Sequence, residues 1–188
     1  MRLFVALDIP DDVRSAIHAI VAKLRPACRN ARWGRIEGLH VTLKFIGETS
    51  PEKAAEIKTA LATSPSRAPI EINVRGLGFF PNERRPRVLW AGIEAAMDLA
   101  ELAAAVEISL GALGIPREER AFSPHLTLAR FDAPRGLDAL HAAIEKAGPL
   151  EFGAVTAKEF HLYQSVLKRG GAEYTRLATF SLAGRKSE

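Results

Sequence analysis

The sequence predicts an α+β fold with largely antiparallel sheets, on three observations. Short apolar stretches of strand character share the chain with longer segments that carry a helical apolar stripe. The two kinds mix without the regular strand–helix alternation that marks a parallel sheet. The composition is ordinary for a globular protein, with 188 residues, 47% apolar and 26% charged, enough for one sizeable core or two small lobes. No Ser/Gly-rich linker or low-complexity block divides the chain, so one unit over residues 1–188 is expected.

Residues 2–8 (RLFVALD) read as a buried strand bounded by Asp8-Ile9-Pro10. A helix follows over about 11–27, because Val13, Ile17, Ile20, Val21 and Leu24 fall on one helical stripe. Residues 38–46 alternate as a strand does. Ser50-Pro51-Glu52 opens a second helix, with Ser50 as cap and Pro51 in the first turn, and Ala54, Ile57 and Leu61 form its inner face. Residues 69–77 and 87–93 read as two strands joined by an exposed loop rich in Pro and Arg, PNERRPR at 81–87. A third helix, roughly 95–113, sets Leu99, Leu102, Val106, Leu110 and Leu113 on one face. A strand at 122–129, a short helix at 137–147 and strands near 151–165 and 173–181 complete the reading.

Charge narrows the partners only slightly. Lys+Arg 26 against Asp+Glu 22 leaves +4, which suits a polyanion without singling one out. The longest apolar runs are too short to cross a bilayer and no charged-then-apolar leader opens the chain, so no membrane is expected and the cytosol is the compartment. Cys28 is the single cysteine, which excludes an internal disulfide framework and any all-cysteine zinc site.

One feature recurs. His40-Val41-Thr42-Leu43 returns as His125-Leu126-Thr127-Leu128, each copy in an expected strand and each after a short stretch containing Gly or Pro. Side chains alternate along a strand, so His40 and Thr42 share one face while Val41 and Leu43 anchor the other, and the second copy does the same. A duplicated lobe about a pseudo-two-fold axis would bring both pairs to one groove. Two imidazoles and two hydroxyls there suit a phosphodiester: hydroxyls donate to non-bridging oxygens, and histidine exchanges protons near neutral pH. Metal binding is the competing chemistry. Threonine is a poor zinc ligand and no carboxylate or cysteine sits at ligand spacing beside either histidine, so no metal is expected.

These motifs resemble those of the two-histidine (2H) phosphoesterase superfamily. RLFVAL at 2–7, RWGRIEGLHVTLKFIGE at 32–48, FSPHLTLAR at 122–130 and LYQSVLKRGGAEYTRL at 162–177 are similar to the RNA 2',3'-cyclic phosphodiesterases, also called 2'-5' RNA ligases. The resemblance implies a bilobal duplicated fold, each lobe a mainly antiparallel sheet with helices outside, and an active-site cleft between the lobes. It implies hydrolysis of RNA or nucleoside 2',3'-cyclic phosphate ends to 2'-phosphates without metal or other cofactor, and a weak, reversible 2'-5' ligation. The expected partner is an RNA carrying a cyclic terminus or a small cyclic nucleotide, met by a monomer.

Opening the ring needs an activated water and a protonated leaving oxygen on opposite sides of phosphorus. His40 is expected to protonate the 3'-oxygen and His125 to take the water proton, although the near-symmetric repeat permits the reverse. Thr42 and Thr127 would hold the phosphoryl oxygens. Arg130 is odd-spaced from His125 and faces away on a regular strand, unless a bulge or the strand end turns it to the phosphate; a surface ion pair is the alternative. In His161-Leu162-Tyr163-Gln164-Ser165, Tyr163 and Ser165 are candidates for the groove wall, and His161 is not counted as catalytic. Phe79, Phe80 and Trp90 beside Arg84, Arg85 and Arg87 suit either core packing with a solvated basic loop or base stacking with backbone attraction. Two other readings stay open: an RNA-end-binding module without catalysis, and a 2H phosphoesterase acting on ADP-ribose cyclic phosphate or 2'-5' oligonucleotides.

Overall fold

The computed structural model describes residues 1–63, 68–95, 97–132, 137–169 and 171–182. Among them run nine strands and four α-helices: β1 (Arg2–Asp8), α1 (Asp11–Leu24), β2 (Arg32–Trp33), β3 (His40–Glu48), α2 (Pro51–Ala62), β4 (Ile70–Phe80), β5 (Val88–Ala95), α3 (Met97–Gly111), β6 (His125–Arg130), α4 (Asp138–Ala147), β7 (Glu151–Ala157), β8 (Glu159–Lys168) and β9 (Gly171–Ser181). The strands form two sheets, ordered β3-β1-β8-β9 and β2-β6-β5-β4-β7, with every neighbouring pair antiparallel. The fold is α+β, as the mixed pattern predicts. No helix among the described residues is long and apolar enough to cross a membrane.

Local chemistry explains most boundaries. The first helix stops being α-helical at Leu24 and tightens into a 3-10 turn over Arg25–Ala27, where Pro26 has no N–H to continue the ladder. Ser50 caps α2, its hydroxyl accepting the Lys53 N–H at 3.2 Å ahead of Pro51. The strand expected from residue 38 begins at His40, because Ile36–Gly38 forms a 3-10 turn. The stretch 151–165 is two strands, not one: β7 pairs with β4 in one sheet and β8 with β1 in the other, breaking at Lys158. The third helix does not start at 95 as its apolar pattern suggests; Ala95 ends β5, and residue 96 lies outside the described set.

The helices tie the sheets together. α1 leaves the first sheet yet packs on β7 and α4 at the second, whereas α3, between two strands of the second sheet, packs on β3 and α2. One continuous core results, with Leu3, Val5, Leu7, Val41 and Leu43 from the first sheet in the same cluster as Ile72, Val74, Leu89, Leu126 and Leu128 from the second. At about 25 cal/mol per Å² of apolar surface, each fully buried Leu or Val contributes roughly 1.5–3 kcal/mol. The other face of β1 behaves differently. Phe4 and Ala6 form a separate cluster with Tyr163. Pairing sets Ala6 opposite Thr42 and Asp8 opposite His40, so this is the face that carries the first motif.

Candidate active site

The two motif strands have the same construction. In β3, Val5 pairs with Lys44 and Ala6 with Thr42, leaving Leu43 as an extra bulged residue. In β6, Leu89 pairs with Ala129 and Trp90 with Thr127, leaving Leu128 in that role. A bulge inserts one residue and reverses the alternation after it. Leu43 and Lys44 are therefore both buried, and so are Leu128 and Ala129, while Phe45 and Arg130 emerge exposed. Ahead of each bulge, Val41 and Leu126 fill the core and the His/Thr pairs keep the opposite face.

All four motif side chains line one cleft of about 240 Å³, together with Arg32, Trp33 and Arg130. His40 Nδ1 lies 2.7 Å from the Gly38 carbonyl oxygen, and His125 Nδ1 lies 2.7 Å from that of Ser123. A carbonyl only accepts, so each Nδ1 carries a hydrogen and donates it, leaving Nε2 as the nitrogen that exchanges protons. Aromatic rings fix both imidazoles. His40 stacks on Phe4 at 4.6 Å with the edge of Tyr174 at 5.1 Å, and His125 meets Phe80 edge to face at 4.8 Å.

The surroundings of the two rings differ. Burial lowers the pKa of His40 below its usual value; the Gly38 carbonyl and Asp8 oppose this, and Arg14 and His125 add to it. Burial also lowers His125, opposed by the Ser123 carbonyl and reinforced by Arg130. Each ring thus has a guanidinium near it, and only His40 has a carboxylate as well. Asp8 is held in place: the Tyr163 hydroxyl donates to Oδ1 at 2.5 Å, and Arg176 pairs with Oδ2. Burial, with Asp8 next, pushes the Tyr163 phenol up to about 12, so it stays a donor.

The bulge at Leu128 turns Arg130 into the cleft wall, where regular alternation would face it away. Tyr163 lies behind His40, in an adjoining pocket of about 320 Å³ shared with Asp8, Tyr174 and Arg176. Ser165 sits further along β8, opposite Arg2 and Tyr174, and lines neither space. His161 is 1% exposed and bonded to Thr179 Oγ1 at 3.1 Å, a packing role. Trp33 donates to the Cys28 carbonyl at 3.0 Å and also forms part of the cleft wall. Asp8 and Lys44 carry no motif signal. Asp8 acts through a cross-strand pairing, and Lys44 is buried by the bulge.

Two antiparallel sheets presenting matched His/Thr pairs to one cleft define a phosphoester-handling enzyme of duplicated design. The family described as LigT like Phosphoesterase matches residues 7–90 and 93–174, and the chain belongs to it. An RNA 2',3'-cyclic phosphodiesterase of Methanothermobacter thermautotrophicus is 33% identical over 183 residues, covering 97% of this chain and 99% of its own. One of Thermus thermophilus is 40% identical over 194 aligned positions, covering 98% and 91%. Among solved structures, TT0787 of Thermus thermophilus superposes with a TM-score of 0.80 at 35% identity, covering 98% of this chain and 100% of that one. E. coli LigT complexed with 3'-AMP gives 0.78 at 28% identity, covering 96% and 97%.

Proposed function

We propose that this protein hydrolyses 2',3'-cyclic phosphate ends of RNA or nucleosides to 2'-phosphates by two-histidine acid/base catalysis. It acts as one unit of two related lobes, a monomer in the cytosol. The observation that carries the reading is the pair of imidazoles in one cleft, each with Nδ1 committed to a carbonyl and Nε2 free for proton exchange. Relatives named RNA 2',3'-cyclic phosphodiesterase over nearly the whole chain support the substrate.

In this reading the phosphorus lies between the rings. His125 Nε2 takes a proton from water as its oxygen bonds to phosphorus. The bond from phosphorus to the 3'-oxygen breaks, and His40 Nε2 delivers its proton to that oxygen. Thr42, Thr127 and Arg130 hold the non-bridging oxygens, where charge builds. The facing charges favour this direction: Asp8 favours protonated His40, and Arg130 favours neutral His125. A 5'-hydroxyl in place of water gives a 2'-5' linkage by the same steps.

Incubation with a nucleoside 2',3'-cyclic phosphate in chelator, with chromatography of the product, tests the proposal. The 2'-phosphate is expected, and His40→Ala and His125→Ala each lose about 10²–10⁴-fold in rate. Full turnover by either variant removes the mechanism, and absence of product from the wild type leaves a binding module.

A further inference from the structure

The β4–β5 loop holds cations that this chemistry leaves unused. Residues 81–87 contain Arg84, Arg85 and Arg87 against one acid, Glu83. Asn82 Oδ1 accepts the backbone N–H of Arg84 at 3.1 Å and of Arg85 at 3.0 Å, which ties the turn from within. Both arginine side chains are exposed, and neither pairs with a carboxylate among the described residues. Arg87 fastens the loop beside the cleft. Its N–H donates to Phe80 O at 2.6 Å, its carbonyl accepts from Phe131 N at 2.9 Å, and its guanidinium donates to the Asp132 carbonyl.

The loop springs from the strand next to the site. Val88, the first residue after it, pairs with Arg130, which lines the cleft with His125 and Thr127. At about 3.3 Å per residue, a loop of this length reaches no more than roughly 13 Å past Val88. With a Debye length of about 8 Å at physiological salt, a strand leaving the cleft on this side passes from Arg130 toward Arg84 and Arg85, past Asp132, which is paired with Arg32, and with Glu83 the one acid of the loop. At the other mouths the cations stand among acids, Lys44 of the trough beyond Thr42 being paired with Glu107. Asp8 and Glu37 accompany Arg14 and Arg176 beside His40, and Glu107 and Glu118 accompany Arg117 and Arg120 in the trough beyond Thr42.

We infer that Arg84 and Arg85 bind the phosphodiester backbone of the RNA strand whose cyclic end occupies the cleft. The contact reads phosphates and not bases, so it gives a preference for oligonucleotide ends over mononucleotides without sequence choice. This inference rests on the activity proposed above.

The test compares a nucleoside 2',3'-cyclic phosphate with a six-nucleotide RNA ending in the same group, using wild type, Arg84→Glu/Arg85→Glu and Arg84→Lys/Arg85→Lys. The wild type should show the lower KM on the oligonucleotide. Two phosphate contacts on a single strand contribute a log–log salt slope of about −1.4, so the wild-type advantage should shrink about 7-fold between 50 and 200 mM salt. The Glu variant should lose that advantage and its salt dependence while keeping mononucleotide turnover, and the Lys variant should keep both. An unchanged oligonucleotide KM in the Glu variant, or an equal loss on both substrates, overturns the backbone contact alone. A wild type inert on both overturns the enzymatic reading and this contact with it.

Discussion

Lys44→Met is expected to destabilise the fold out of proportion to its chemistry. The Lys44 side chain is 3% exposed, its Nζ 2.7 Å from Glu107 Oε1 and donating to the Pro116 carbonyl at 2.6 Å. Glu107 Oε2 is buried with no partner among the described residues, and Oε1 has besides this lysine only a long bond from the Glu118 N–H at 3.4 Å, so the lysine supplies the carboxylate's one charged partner. Methionine keeps most of the apolar stem and removes the charge, which leaves the Pro116 carbonyl without this donor and the Glu107 carboxylate with only the weak Glu118 N–H bond. Removing one member of a buried pair costs about 3–5 kcal/mol. Glu107 is 20% exposed, so water relieves part of that and about 2–3 kcal/mol is expected. At about 2–4 °C per kcal/mol for a chain of this size, Tm falls by about 4–12 °C. Adding Glu107→Leu removes the stranded charge, leaves the Pro116 carbonyl and the exposed Glu118 N–H without these partners and should recover at least half the loss. Thermal unfolding of wild type, both single variants and the double variant measures this coupling. Activity should follow, because Lys44 comes two residues after Thr42 and Pro116 begins the stretch ending at Ser123 and His125. A single variant within 1 °C of wild type, or a double variant no more stable than Lys44→Met, refutes the reasoning.

Three further outcomes are expected. Gly78→Ala puts a Cβ 2.2 Å from Trp90 Cζ2, so the indole must shift at a cost of about 1–3 kcal/mol, and Phe80, packed on Trp90 at 5.2 Å, shifts with it against His125. Unchanged Tm and tryptophan emission would contradict this. In Asp8→Asn, His40 loses the carboxylate that favours its protonated form, so the alkaline limb of the kcat/KM–pH profile moves to lower pH; a stationary limb removes Asp8 from that role. His40, His125 and His161 are all lowered from 6.5, chiefly by burial, so the unfolded chain binds more protons than the folded one. Their contribution to stability is present above pH 6.5 and lost as the pH falls below it, and His161→Gln should flatten part of the Tm decline between pH 7 and 5. A Tm that rises on acidification would reverse the sign.

The motif residues were legible because alternation and repetition are properties of sequence alone. His40, Thr42, His125 and Thr127 needed only a period of two and a second copy. Arg130 shows where that reading stops. Alternation faces it away, and the bulge that redirects it appears only when Ala129 and Thr127 are matched to Leu89 and Trp90 on another strand. The same slip carries Lys44 into the core, although counting by twos sets it with His40 and Thr42. β2 is two residues long and has no periodicity to detect. The 151–165 stretch reads as one strand because the switch of sheets at Lys158 is a tertiary choice.

The repeated bulge bears on the proposed division of the two histidines into acid and base. Perfect duplication would give both imidazoles equal surroundings and equal proton affinity, with no preferred direction of transfer. Each bulge instead releases the residue five places after its histidine toward solvent. That residue is Phe45 in one copy, with the Arg2 guanidinium 5.0 Å from its ring, and Arg130 in the other, in the cleft beside His125. The carboxylate is just as one-sided, because Asp8 ends β1 opposite His40 while the residue opposite His125 is Gly92. Backbone symmetry therefore brings the two rings into one cleft, and the unequal residues at matched positions give them different charged neighbours, the asymmetry on which the proposed acid and base assignment rests.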